Sequence, residues 1–205
     1  RRVIDRLQPW GIVNNAGFGA IGAIEDVSDE EAHSAFETMV FAPLRLARLA
    51  LPHMRRRGGG RIVNISSIYG ITTTPLSGWY QGAKHALEAL SDALRIEVAK
   101  DGVRVVLIEP GGFDTGIWED THSEVEKRPH SKYRTAYGRL QAGVKLSRPM
   151  RGNPKPVARV IARALTSGRP SPRYLVGADA QAIAFWDRLL PTEVKDRVTR
   201  LSLGL

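Results

Sequence analysis

Short apolar runs alternate along this chain with longer stretches in which apolar residues return every three or four positions. The runs are Gly11–Val13, Arg61–Ile65, Val103–Ile108 and Tyr174–Val176, and they predict strands. Val103–Ile108 is apolar enough to be buried on both faces. Between them, Ala32, Phe36, Met39, Val40, Leu44, Ala47 and Leu51 make the stripe of a helix from about Asp29 to Arg57. Ser28 and Glu31 form its capping box, and Pro43 removes an internal hydrogen bond and should kink it. Ala86, Leu87, Leu90, Ala93, Leu94 and Val98 mark a second helix, from Tyr80 to Lys100. Val157, Ile161 and Leu165 mark a third, capped at Asn153-Pro154 and running to about Thr166.

Residues 1–8 have the pattern of a helix tail, and Ala180–Leu205 is helical with a break at Pro191. Residues 111–153 are long, irregular and aromatic, with Phe113, Trp118, Tyr133 and Tyr137. They predict either a substrate lid with some helix of its own or a surface excursion that buries its aromatics. No repeat and no second domain is visible over residues 1–205. Strands alternating with helices imply a parallel sheet with right-handed crossovers. Ligands of such sheets bind beyond the carboxyl ends of the strands, here Asn14–Gly17, Ser66–Ser67 and Glu109–Gly111.

Composition narrows the class. The 42% hydrophobic and 25% charged content is that of a folded soluble protein, long enough at 205 residues for a real core. Cysteine is absent, so no disulfide or thiolate site exists, which suits a reducing, cytoplasmic compartment. No apolar run reaches the roughly 18 residues of a membrane span. The net charge of +9 raises the question of nucleic acid. Arginine is scattered, however, and Arg55-Arg56-Arg57 falls at a helix end, where cations satisfy terminal carbonyls. The sequence therefore predicts no nucleic-acid partner, no membrane partner and no metal site.

The candidate chemistry lies between Ser67 and Lys84. Tyr80 and Lys84 are one helical turn apart, with Cβ atoms about 5–6 Å from each other. A phenol with its ordinary pKa near 10 is a poor base at neutral pH, and a neighbouring ammonium lowers that value. A phenol so tuned becomes a general acid/base, and Ser67, at the end of the preceding strand, could donate to a substrate oxygen. The spacing alone is also the default for two helix neighbours.

Three motifs add context: Asn14-Asn15-Ala16-Gly17, Asn64-Ile65-Ser66-Ser67, and Pro110-Gly111-Gly112-Phe113-Asp114-Thr115. With Tyr80 and Lys84 they resemble the short-chain dehydrogenases/reductases from about Trp10 to Thr115. The wording Trp10–Val13 resembles, more weakly, the branch acting on retinoids and steroids. The resemblance implies an α/β, Rossmann-like, doubly wound parallel sheet. It also implies hydride transfer between NAD or NADP and an alcohol or ketone, and the weaker resemblance implies that this substrate is apolar and steroid- or retinoid-like. Catalytic roles would fall to Ser67, Tyr80 and Lys84. Cofactor contacts would fall to Asn15, Ala16 and Gly17 on the adenosine side, to Tyr80 and Lys84, and to Pro110, Gly111, Phe113 and Thr115 by the nicotinamide. Asn14 and Asn64 read as amides that tie strand ends together. The resemblance further implies a homodimer or homotetramer paired through the two long helices, with Phe41, Leu49, Leu87 and Leu94 as candidates for the paired face.

Two departures stand out. Gly17-Phe18-Gly19-Ala20-Ile21-Gly22 spells the dinucleotide fingerprint, but the helix start signal comes later, at Ser28, so it reads as a loop. The family's glycine-rich turn lies well upstream of its Asn-Ala-Gly motif, so residues 1–205 read as one partial dinucleotide-binding domain lacking the first strands and that turn. The family's fourth catalytic residue, an Asn in the long helix, is replaced by Met39. The alternative function is therefore a catalytically impaired cofactor-binding or scaffold protein of the same fold.

Overall fold

The computed structural model describes the backbone of residues 1–205 and the side chains of all but residues 119–122. Four strands form one parallel sheet: β1 (Gly11–Asn14), β2 (Gly60–Ile65), β3 (Val103–Pro110) and β4 (Arg173–Val176), in the order β1-β2-β3-β4. Asn14 stands opposite Asn64, Asn64 opposite Leu107, and Pro110 opposite Val176. The carboxyl ends of all four strands thus lie on one edge.

Alternation along the strands divides the core. Ile62 and Val105 face one way, against Ile4 of α1 (Arg2–Leu7) and Ala47, Ala50, Leu51 and Met54 of α3 (Ala42–Arg56). Val63, Val106 and Ile108 face the other way, against Val157, Val160, Ile161, Ala164 and Leu165 of α7 (Lys155–Thr166). Each fully buried Ile or Val contributes about 1.5–3 kcal/mol. With helices on both faces of a parallel sheet, the fold is Rossmann-like and doubly wound.

The helix expected from Asp29 runs unbroken to Arg56 and contains one π-helical turn, so its two α-helical parts carry separate labels. α2 (Asp29–Phe36) opens on the Ser28 capping box, closed by Glu31 N–H to Ser28 Oγ at 3.2 Å and Ser28 N–H to Glu31 Oε2 at 2.9 Å. A π-helical turn, Glu37–Phe41, then leads into α3. Pro43 has no N–H to give the carbonyl of Met39, and the chain answers with a wider turn in place of a simple kink. α4 (Gly78–Glu97) is the helix expected from Tyr80 onward.

Residues 111–153 carry more helix than expected: α5 (Ile117–Glu126) and α6 (Arg134–Ser147). Their aromatics account for it, since the Tyr137 ring is buried and its hydroxyl donates to Asp26 Oδ2 at 2.8 Å while accepting from Ala23 N–H at 2.7 Å. Arg128 extends the attachment, donating to Glu31 Oε1 at 2.9 Å. The chain ends in α8 (Ala178–Leu189) and α9 (Thr192–Leu203), separated at Pro191. Among the described residues no helix is long and apolar enough to cross a membrane.

Candidate active site

α4 sets Tyr80, Lys84 and Glu88 one turn apart on a single buried stripe. Ser67 leaves β2 in extended conformation, its Oγ accepting from Tyr69 N–H at 3.2 Å. The Ser67 hydroxyl stands beside the Tyr80 phenol, near enough to oppose the rise of its pKa. Lys84 Nζ donates to the carbonyl of Ile65 at 2.8 Å and stands 5.7 Å from the centroid of the Tyr80 ring. The three residues expected to act together therefore meet at the carboxyl end of β2.

The electrostatics differ from the expectation of a phenol lowered by its lysine. Burial pushes the Tyr80 phenol up; the Ser67 hydroxyl pulls the other way, and Tyr69 adds to the rise. Lys84 Nζ is directed to the Ile65 carbonyl, and burial dominates at the phenol. Burial also pulls Lys84 down, to about 8, with Glu88 opposing that fall.

Around this centre, Gly17 opens onto both Met39 and Lys84: a Cβ there would lie 3.5 Å from Met39 Sδ and 3.7 Å from Lys84 Nζ. Met39 is fully buried, as are its neighbours Ala35 and Val40. Asn15, Ala16 and Gly17 follow β1 and are exposed. They do not open a helix, so the glycine pattern at Gly17–Gly22 is a loop, as its context predicts. Asn14 Nδ2 donates to Asn64 Oδ1 at 2.7 Å and Asn64 Nδ2 to Ser91 Oγ at 2.8 Å, a tie between strand ends.

Pro110 ends β3, and Gly111 N–H bonds Val176 O at 2.9 Å. Thr115 is exposed near the same edge, its carbonyl accepting from Trp118 N–H. Phe113 is different: its ring packs into the core with Val63, Ile108, Ala164 and Val176, so only its backbone remains at the loop.

Two further groups at the site carry little sequence signal. Asp179, in the first turn of α8, accepts from Gly112 N–H at 2.5 Å. A Cβ on Gly111 would collide with that carboxylate, which is why glycine stands there. Tyr69 packs beside Tyr80 with Phe18, Phe36 and Ile117. The only hint of Asp179 in the sequence is an acid just after the glycine that closes the last strand.

Two cavities flank the centre. One of about 310 Å³ is lined by Phe18, Ala20, Val27, Glu31 and Arg128. The other, about 1190 Å³, lies between Thr73–Leu76, the start of α4 and α9. Neither is lined by Ser67, Tyr80 or Lys84. Phe18 and Ala20 of the smaller cavity also pack in the Tyr80 cluster, so it stands next to the buried centre.

A sequence model of the family described as short chain dehydrogenase matches residues 2–126. The chain is 34% identical over 195 residues to the uncharacterized oxidoreductase YusZ of Bacillus subtilis, covering 94% of this chain and 70% of that protein. It is 32% identical over 203 residues to retinol dehydrogenase 7 of Rattus norvegicus, covering 92% of this chain and 63% of the relative. Among solved structures, a short-chain dehydrogenase from Streptomyces avermitilis superposes with a TM-score of 0.74 at 31% identity, over 97% of this chain and 71% of that one. The chain thus spans about two thirds of the length of the relatives it matches.

Proposed function

The chain belongs to the short-chain dehydrogenase family, and from that premise we propose that residues 1–205 are the catalytic part of an oxidoreductase that uses NAD or NADP and an alcohol or ketone substrate. The observation that carries this reading is the meeting of Ser67, Tyr80 and Lys84, the lysine one helical turn beyond the tyrosine and bonded to Ile65 O, at the carboxyl end of a parallel sheet.

The residues suit a nicotinamide nucleotide. Gly17 leaves room beside the buried Lys84 ammonium, and Gly111 leaves backbone bare at the end of β3. Such a nucleotide supplies or accepts the hydride. Asn15, Ala16 and Gly17 would line its adenosine side, and Pro110, Gly111, Thr115 and the Phe113 backbone its nicotinamide side. Tyr80 gives its proton to the carbonyl oxygen in reduction and takes the hydroxyl proton in oxidation. Its raised pKa keeps it protonated at neutral pH, the form that reduction needs. Ser67 holds the substrate oxygen against the phenol, and Lys84 supplies positive charge and a donor for hydroxyl groups. The partly buried Phe18, Tyr69 and Ile117 beside Tyr80 favour an apolar substrate, of retinoid or steroid type.

The test is NAD(P)H consumption by the full-length protein across retinoid, steroid and simple carbonyl substrates. Turnover that disappears in Lys84→Ala supports the reading; equal turnover in wild type and Tyr80→Phe overturns it. Met39 favours the second reading, a catalytically impaired cofactor-binding or scaffold protein of the same fold, because its thioether, which stands beside Gly17 as Lys84 Nζ does, offers no amide. Wild-type turnover that vanishes in Lys84→Ala excludes that alternative.

Self-association belongs to the same proposal, with a corrected face. Leu87 is 1% exposed and Leu49 and Leu94 pack against the core, so of the expected set only Phe41 is free. The apolar residues that α3, α4 and the π turn leave exposed are Phe41 at 50%, Leu46 at 37%, Leu90 at 43% and Ile96 at 69%. A self-complementary patch is all that a two-fold dimer requires. Phe41→Glu with Leu90→Arg should convert the full-length protein to a monomer by light scattering at micromolar concentration; an unchanged mass would count against this face.

The 205-residue chain by itself should bind dinucleotide weakly. Among the described residues β1 pairs only with β2, so Gly11–Val13 offers a bare apolar edge, a template for pairing with another chain. Calorimetry on these residues should show little NAD(H) or NADP(H) binding, and light scattering should show aggregation. A micromolar Kd from a monodisperse sample would contradict this.

A further inference from the structure

The positive charge of this chain is concentrated in one stretch. Residues 127–178 hold thirteen Lys and Arg and no Asp or Glu, more than the whole net charge of +9. Four of these cations pair with acids outside the stretch: Lys127 with Glu124, Arg128 with Glu31, Lys132 with Glu25, and Arg173 with Glu88, Glu109 and Asp92. The others, from Arg134 to Arg169, form no ion pair among the described residues. Two apolar side chains stand in their midst. Leu146, in the last turn of α6, and Met150, in the 3₁₀ turn that follows, are 80% and 85% exposed, the highest values of any large apolar residue described. Lys145, Arg148 and Arg151 flank them in the chain.

This knuckle is braced against the fold. The Arg151 guanidinium lies 3.9 Å from the centroid of the Trp118 ring and donates to Ser147 Oγ at 3.3 Å and to the Val144 carbonyl. Gly152 N–H then bonds Gly112 O at 3.1 Å, and Asp114 N–H bonds Gly152 O at 2.9 Å, so the knuckle continues into the loop beside the candidate active site. Apolar tips set among unpaired cations suit a surface with anionic charge outside and hydrocarbon beneath. We propose that residues 145–151 dock on an anionic lipid bilayer, Leu146 and Met150 entering the acyl boundary while Lys145 and Arg148 stay among the headgroups. A nucleic acid would meet the cations but offers no apolar phase to the tips, and the Trp118 ring, covered by Arg151, is not free to stack on a base. The contact is superficial, since no described helix is long and apolar enough to cross a membrane. It departs from the expectation of no membrane partner, because the sequence does not show that these two side chains stand clear of the fold. On the functional reading above, docking here turns the mouth of the site toward the phase that dissolves an apolar substrate.

The test is co-sedimentation of the full-length protein with phosphatidylcholine vesicles, with and without about 30% phosphatidylserine, and its binding to polyuridine RNA. The protein should pellet with the charged vesicles and stay in solution with the neutral ones. Leu146→Ser with Met150→Ser leaves the charge unchanged and should lower partition into the charged vesicles by about tenfold or more. Lys145→Ala and Arg148→Ala should each lower it about fivefold, and less in high salt. All four side chains are exposed, so these variants keep the core of the fold. No binding to the charged vesicles, or binding that the two serines leave unchanged, overturns the proposal; binding to the RNA alone overturns it and assigns the surface to nucleic acid. Vesicle binding with the stated dependence upholds it whether or not the protein reduces any carbonyl, so failure of the functional reading is seen separately.

Discussion

Replacing Tyr80 by Phe is expected to cut turnover by roughly 10²–10⁴-fold while leaving the fold intact. The phenol stands beside Ser67 and carries a proton that can pass to a substrate oxygen. The ring stays: it packs with Ala20, Ala35, Met39, Val40 and Ala83, and Phe keeps all of that apolar surface. What is lost is the contact of the phenol oxygen with Ser67, about 1 kcal/mol of stability. The pH profile gives the check a sign. Tyr80 is raised and so stays protonated throughout the neutral range, while Lys84 is lowered to about 8. Reduction by the wild type should therefore hold steady to about pH 7 and decline as pH passes about 8 and the ammonium loses its charge. Steady-state rates for wild type and Tyr80→Phe between pH 6 and 9.5 test both statements. A Phe variant with more than about a tenth of wild-type turnover would remove Tyr80 from its role as acid/base.

What was legible in the sequence was what local pattern and strand ends determine. The four strands, the Ser28 capping box and the stripe on α4 follow from periodicity over neighbouring residues, and all are present. Ser67 and Tyr80 could be brought together because one ends a strand and the other begins the next helix. The π turn was harder to see. Pro43 announces a break, but whether the chain kinks or widens depends on what Met39 and Val40 pack against. The apolar face of α4 was misjudged at Leu87 because helical spacing shows a stripe and does not say which part of it meets the sheet. How much of residues 111–153 is helical is not legible locally, since the anchors of Tyr137 are Asp26 and Ala23, more than a hundred positions away. Asp179 on Gly112 and the Glu88–Glu109–Arg173 cluster belong to the same class: each joins elements whose adjacency only the sheet order creates.

That cluster yields the largest expected loss of stability. Arg173→Leu should lower the unfolding free energy by about 2–4 kcal/mol, against a typical total of 5–15. Removing one partner of a buried ion pair typically costs about 3–5 kcal/mol; the lower range applies here because Arg173 is 38% exposed and water can still reach its side of the cluster. Its three carboxylates fare unequally: Asp92 keeps Arg95, while Glu88 and Glu109 lose their charged donor with their own side chains 7% and 4% exposed. The sign with pH follows from Glu109, whose carboxyl is already raised, first by burial and then by the charge of Glu88, with Arg173 pulling it down. A carboxyl raised in the folded state binds more protons there than in the unfolded chain. Its contribution is present in full below the ordinary carboxyl value near 4.5 and is lost as pH climbs through the raised one. Removing Arg173 raises it further, so the deficit of the variant should be smallest near pH 5 and largest near pH 8. Glu109→Gln added to Arg173→Leu should recover part of the loss at pH 8, because one of the two stranded charges is gone. Urea unfolding of wild type, Arg173→Leu and the double variant at both pH values measures this. A deficit below about 1 kcal/mol, or one that does not change with pH, would mean that solvent, not Arg173, neutralises the acids.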